Sequence, residues 1–227
     1  MMAALDASER RTSADIVFDQ LYDEIVGLDL LPGAKMSEVE VAKRFGISRQ
    51  PVRDAFSRLS NLGLLIVRPQ RSTVVRHFSM DAIQNARFIR IAVEAEVLRR
   101  ACAQWDDAHD VALQENLDAQ ARAIEAEDAE AFHRLDYEFH RLLCQGADAA
   151  FAFETIAANK AQVDRLCMLS LTSRGSMAQL HRDHLDIMAA IRDGDRTEVD
   201  RAIRLHLSRI QPTIEAIYES HRDYFES

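Results

Sequence analysis

The stretch Gly46-Ile47-Ser48-Arg49-Gln50-Pro51-Val52-Arg53-Asp54-Ala55-Phe56-Ser57-Arg58-Leu59 decides how this chain is read. It opens on a residue suited to a tight turn and runs into a helix that carries its own punctuation. Ser48 is a capping residue type. Ile47 and Val52 sit where a hydrophobic staple closes a first turn. Pro51 falls inside that turn, where a missing N–H costs nothing. At helical spacing Val52, Ala55, Phe56 and Leu59 share one face, while Arg49, Gln50, Arg53 and Ser57 fall mostly on the other. A helix entering the major groove of DNA needs this arrangement: an apolar back, and long polar side chains near its N-terminus. Arg can bond guanine O6 and N7 together, Gln can pair with adenine, and Ser48 can cap the helix and also touch a phosphate. Taken alone, two arginines on a helix face describe a solvated helix; the flanking segments decide otherwise.

Upstream, a helix is predicted over 14–27, capped by Thr12 or Ser13, with Ile16, Leu21, Ile25 and Val26 as its buried stripe. Leu31-Pro32-Gly33 breaks it. Ser37 caps a short second helix reaching Phe45, with Val39, Val41, Ala42 and Phe45 as apolar positions. Downstream, the reading helix ends near Asn61, with Gly63 just beyond. Two apolar, partly β-branched runs, 64–67 and 73–75, then flank Pro69-Gln70-Arg71-Ser72, which reads as a hairpin or wing. Arg68, Arg71 and Arg76 place charge around it. The order helix, helix, glycine turn, capped basic helix, basic hairpin predicts a winged helix-turn-helix over 12–78. Residues 1–11 lack the apolar core of a secretory signal and read as a short disordered lead.

The remainder, 79–227, reads as an all-helical domain of about six helices, near 80–103, 107–126, 129–145, 149–169, 177–193 and 196–221. Only seven Gly and four Pro in 227 residues favour such a mostly helical chain. The net charge of −9 argues against DNA binding until its distribution is considered. Residues 31–78 hold nine Lys/Arg against three Asp/Glu, whereas 79–227 hold 17 against 27. Any phosphate contact therefore belongs to the first third. Cys102, Cys144 and Cys167 form no paired motif and read as small apolar residues in a reducing, cytoplasmic setting. No apolar run approaches the roughly 20 residues that span a bilayer.

Four residues of the second domain form a possible ligand set. Asp136 and His140 lie at i, i+4 on one helix face, and His184 and His206 lie on later helices, each bordering an apolar, inward stripe. Imidazoles and a carboxylate converging inside a bundle suit Zn, Ni, Mn or Fe, zinc first among them. From spacing alone the signal is weak, because a lone His on an apolar face is more often a satisfied core residue. His133 and His181, within a turn of these positions, read as solvated or capping. Arg90 and Arg165 lie on helices that could line an internal cavity and could clamp an acidic ligand; an interhelical ion pair explains either equally well.

The whole pattern resembles a known family. Leu31-Pro32-Gly33, Ser37-Glu38, the stretch from Gly46 to Ala55, Leu59 and Gly63-Leu64-Leu65 look like the DNA-binding domain of GntR-type regulators. Arg90 with Glu94, Phe139-His140 following Asp136, His184 with Ile187, Ala190 and Ile191, and His206-Leu207 resemble the FCD ligand-binding domain of the FadR branch, in its shorter VanR-like group. The resemblance implies operator contacts from Ser48, Arg49, Gln50, Arg53 and the wing tip with Arg71. It implies a divalent metal on Asp136, His140, His184 and His206, a small organic-acid effector at that ion, and control of transcription, expected as repression. A homodimer on a pseudo-palindromic operator follows from the motif's size. Three positions depart from the family pattern: Ser72 replaces a wing glycine, Val39 a contacting arginine, and Asp148 an asparagine. Two alternatives stay open, a helical-bundle metalloenzyme acting on an organic acid and a direct metal-sensing repressor.

Overall fold

A computed structural model describes residues 11–68, 72–170 and 174–226. The expected lead falls almost wholly on residues 1–10, and Arg71 and the wing tip on residues 69–71; both segments lie outside the described residues. The chain divides into two compact units, one ending at Arg76 and one beginning at His77.

In the first unit, α1 (Ser13–Val26) starts at a capping box. The Asp15 N–H donates to the Thr12 hydroxyl, while the Thr12 N–H and O–H donate to the Asp15 carboxylate. With Arg58 added at 2.8 Å, these bonds hold the Asp15 carboxyl down to about 2. The buried stripe is Val17, Leu21 and Ile25. Ile16, expected in that stripe, is exposed, because it leads the stripe by one residue and so by about 100° around the helix. A two-residue strand β1 (Lys35–Met36) follows, too short for any alternation to signal it. Ser37 caps α2 (Glu38–Phe45), whose inner face is Val41 and Ala42. Val39, also read as an apolar position, points to solvent. Gly46 ends α2 at φ 66, a left-handed backbone that favours glycine. Next comes α3 (Arg49–Asn61), with Val52, Ala55, Phe56 and Leu59 buried against α1. Strands β2 (Leu65–Ile66) and β3 (Thr73–Val75) close the sheet in the order β1-β3-β2, antiparallel throughout, with Met36 opposite Thr73 and Leu65 opposite Val75.

The second unit holds seven described α-helices rather than six: α4 (Met80–Gln104), α5 (Asp107–Glu125), α6 (Ala129–Gly146), α7 (Ala152–Ser170), α8 (Arg174–Arg192), α9 (Arg196–Ser208) and α10 (Gln211–Ser220). The extra helix comes from the last predicted segment, which splits at Arg209–Ile210. Pro212 lies in the first turn of α10 and has no N–H to continue the ladder back to Ser208. A common core joins Leu98, Leu113, Leu117, Phe139, Leu143, Ile187, Ile191, Ile203 and Leu207. Gly146 lets α6 approach the indole of Trp105; a β-carbon there would overlap the ring. Asp148 adopts φ 48 just after α6. Asp and Asn both tolerate that conformation, which accounts for an acid where the family pattern has an amide. Near the start of this unit, Phe78 pairs with the last described segment: its N–H donates to Tyr224 O at 2.7 Å, and the Glu226 N–H donates to Phe78 O at 2.8 Å.

Candidate functional site

On α3 the side chains of Arg49, Gln50 and Arg53 lie together on the exposed face. Arg49 Nη2 stands 2.6 Å and Arg53 Nε 2.9 Å from the same Glu38 carboxylate at the start of α2, and the two arginines hold that carboxyl below its usual range despite partial burial. Gln50 donates to Asp54 at 2.9 Å. Ser48 stands at the N-cap but makes no side-chain capping bond. Glu38 is thus a positioning residue that spacing did not single out. Two other basic residues of the unit serve the fold: Arg44 forks onto Glu24, and Arg58 pairs with Asp15 and lies over the Phe18 ring.

Inside the second unit, Asp136 and His140 of α6, His184 of α8 and His206 of α9 come together. One donor atom from each lies within 4.8 Å of the others, and all four residues are buried. The helices' apolar faces carry them inward: Phe139 stacks on the His184 ring at 4.0 Å between centroids. Two of the three imidazoles have a close supporting neighbour. Glu94 Oε2 lies 2.7 Å from His140 Nδ1, and the other oxygen of Glu94 accepts from Arg90 Nε at 2.7 Å. His184 Nδ1 donates to Gln120 Oε1 at 2.8 Å; Gln120 donates to Asn116, and Asn116 to Leu135 O. That chain fixes the ring proton on Nδ1 and leaves Nε2 facing Asp136. Asp183, itself gripped by Arg209, lies 3.9 Å from His206 Nδ1.

Electrostatics keep the set ready for a cation. Burial, reinforced by the neighbouring imidazoles, pushes His206 well below its usual value; burial also lowers His184, against the pull of Asp136. Both shifts favour the neutral imidazole, the form that can ligate a cation. Burial pushes the Asp136 carboxyl up, but Lys160 at 2.9 Å and the surrounding imidazoles hold it well below the carboxylate range. His184 Nε2 and His206 Nδ1 are buried without a hydrogen-bond partner among the described residues. Two orphaned ring nitrogens, a third imidazole and a carboxylate at this separation fit a divalent ion.

A cavity of about 390 Å³ opens beside Asp136, His140 and His206. Arg90 lines it, with Nη2 at 3.4 Å from His140 Nε2. Arg165 is not among its lining residues; the guanidinium lies over the Phe78 ring at 4.5 Å, and burial lowers it to about 10. Three further lining cations, Arg87, Lys160 and Arg209, carried no signal in the sequence, since nothing in their spacing marks them. His133, read as solvated or capping, is mostly buried and also lines the cavity, 3.9 Å from Asp164. His181 points elsewhere, its Nε2 3.1 Å from Leu117 O.

With this geometry in hand, comparison with known proteins places the chain. The sequence pattern described as "Bacterial regulatory proteins, gntR family" matches residues 13–75, and that of the FCD domain matches residues 86–209. The chain is 39% identical over 209 residues to the HTH-type transcriptional repressor RspR of Escherichia coli (strain K12), covering 92% of each protein. It is 28% identical to a probable D-xylose utilization operon transcriptional repressor of Paenarthrobacter nicotinovorans, over 92% of this chain and 93% of that one. Among solved structures, E. coli McbR/YncC superposes with a TM-score of 0.77 at 19% identity, covering 93% of this chain and all of that one, a likeness of fold.

Proposed function

We propose that this chain, which belongs to the GntR family of bacterial regulatory proteins and carries an FCD domain, is a repressor whose hold on DNA is set by a small carboxylate received at a metal ion in its helical domain. Members of this family regulate transcription and are not enzymes, so the metalloenzyme alternative lapses. The names of RspR and of the D-xylose operon repressor support repression as the direction of control. The described residues include no helix long and apolar enough to cross a membrane.

One observation carries the sensor half of the reading. The buried group of Asp136, His140, His184 and His206, with two unpartnered ring nitrogens, borders a cation-lined cavity. The four side chains would hold the ion, and the ion, when bound, would offer its remaining positions to an anionic ligand. The chain's own residues do the rest. Glu94 and Gln120 orient two of the rings, Lys160 offsets the charge of Asp136, and Arg90 meets the ligand beside His140. The cavity favours an organic effector over direct metal sensing, which needs no such space. At the other end Ser48, Arg49, Gln50 and Arg53, with Arg71, read each half of a pseudo-palindromic operator in a homodimer. Ligand binding re-spaces the two reading helices.

The test replaces His184 and His206 by Ala and measures bound metal alongside ligand-dependent release of an operator fragment. The proposal expects both to be lost. Unchanged metal content removes the ligand assignment, and lost metal with an intact response makes the ion structural only. Metal titrated alone against DNA binding decides whether the ion is itself the signal.

A further inference from the structure

The charges lining the cavity do not cancel evenly. Three of its four cationic side chains are matched by carboxylates. Arg90 bonds Glu94, Arg209 forks onto Asp183 with both contacts at 2.9 Å, and Lys160 lies between Asp136 and Asp164. Arg87 differs. It is half-buried, its Nη1 donates to the amide oxygen of Gln211, its Nε has no hydrogen-bond partner, and among the described residues no carboxylate pairs with it. Arg87 is therefore the one cavity cation with no carboxylate beside it among the described residues.

Its position gives the charge a use. Arg87 and Arg90 are three residues apart on α4, hence on one face and separated by about 4.5 Å of helical rise. Arg90 reaches the imidazole cluster, 3.4 Å from His140 Nε2, and Arg87 stands one turn away along the same cavity. A ligand with one acid group at the cluster would reach Arg87 with a second group a few carbons on. Thr213 and Ser176 line the same space. A monocarboxylate would leave Arg87 facing an apolar tail, with the neutral Gln211 amide as its acceptor in place of an anion.

We infer that the cavity selects a short-chain dicarboxylate, and that Arg87 is the residue that reads its second acid group. This rests on the carboxylate reading above and narrows it from any organic acid to a dianion. The Gln211 contact offers a competing role for Arg87, as a tie between α4 and α10, so the test must separate recognition from folding.

Titration calorimetry on the full chain with its metal bound does so, using malonate, succinate, glutarate and adipate, each beside the monocarboxylate of equal length. At least one dicarboxylate should bind about tenfold or more tightly than its monocarboxylate, the scale of one charge-assisted contact. In Arg87→Gln that preference should vanish while monocarboxylate affinity stays within about twofold; Arg87→Lys, which keeps the charge and serves as the second variant, should retain most of it. A preference that survives Arg87→Gln overturns the assignment. So does equal binding of both series by the unaltered chain, which leaves the carboxylate reading intact. If no acid of either series binds the metal-bearing protein, the carboxylate reading itself falls, and this inference with it.

Discussion

The side chains of the candidate reading surface and of the candidate ligand set are held by partners from other elements. Arg49, Gln50 and Arg53 follow from helical phase, and the i, i+4 spacing puts Asp136 with His140 on one face of α6. Glu38 and Glu94 stand in quoted motifs without a mark of what they hold, while Gln120 and Lys160 come from other helices and are selected only by tertiary approach, so no local period reveals their roles. Two predictions follow at this scale. Glu38→Gln removes the anion that holds both arginines. Binding to random DNA should rise and the operator-to-random ratio should fall roughly threefold to tenfold, as expected for two exposed ion pairs. An unchanged ratio in a competition titration would show that the arginines find their bases unaided. Gln120→Leu leaves the His184 ring without its acceptor. On the metal-binding reading, a chelator competition should then give an affinity roughly 10–100-fold lower, with Gln120→Glu, which keeps an acceptor, close to the original.

Among elements, the strongly punctuated ones match expectation and the weakly punctuated ones do not. Ser37, Gly46 and Ser48 bracket α2 and α3 as read. β1 escaped notice because two residues carry no pattern. The split between α9 and α10 had a signal, Pro212, that the apolar periodicity across it masked. Ile16 shows the limit of a stripe drawn without its partner helix: α1 turns Val17 inward because α3 lies on that side. The capping box at α1 gives a prediction with a defined pH sense. The Asp15 carboxyl is depressed to about 2 in the folded chain. Its contribution is fully present above the ordinary carboxylate range and is lost as pH falls through about 2. Asp15→Asn should therefore melt below the parent protein at pH 7, and the gap should close as the folded value is passed. A gap that persists unchanged in strong acid would assign the effect to packing instead.

For the molecule as a whole, charge is divided along the chain, with a basic stretch from 31 to 76 that carries the reading helix and an acidic second unit that houses the candidate sensor. The charge distribution marks that division along the chain, but nothing local marks what holds Phe78. Phe78, two residues past Arg76, is bonded to Tyr224 and Glu226, its ring lies 5.2 Å from that of Phe225, and Arg165 of α7 lies over it. Phe225→Ala should lower the melting temperature, at a cost of up to roughly 3 kcal/mol. Hydrogen exchange should show the Phe78 amide losing protection while the α3 amides keep theirs.

The partners in that pairing are almost as far apart in sequence as the second unit allows. A contact of such high order carries a larger loop-closure cost than the local helices, so it is expected to close after them. A second unit that is only partly wound therefore leaves Phe78 loose. Protection of the Phe78 amide would then report, in refolding followed by hydrogen exchange, that the second unit is fully wound.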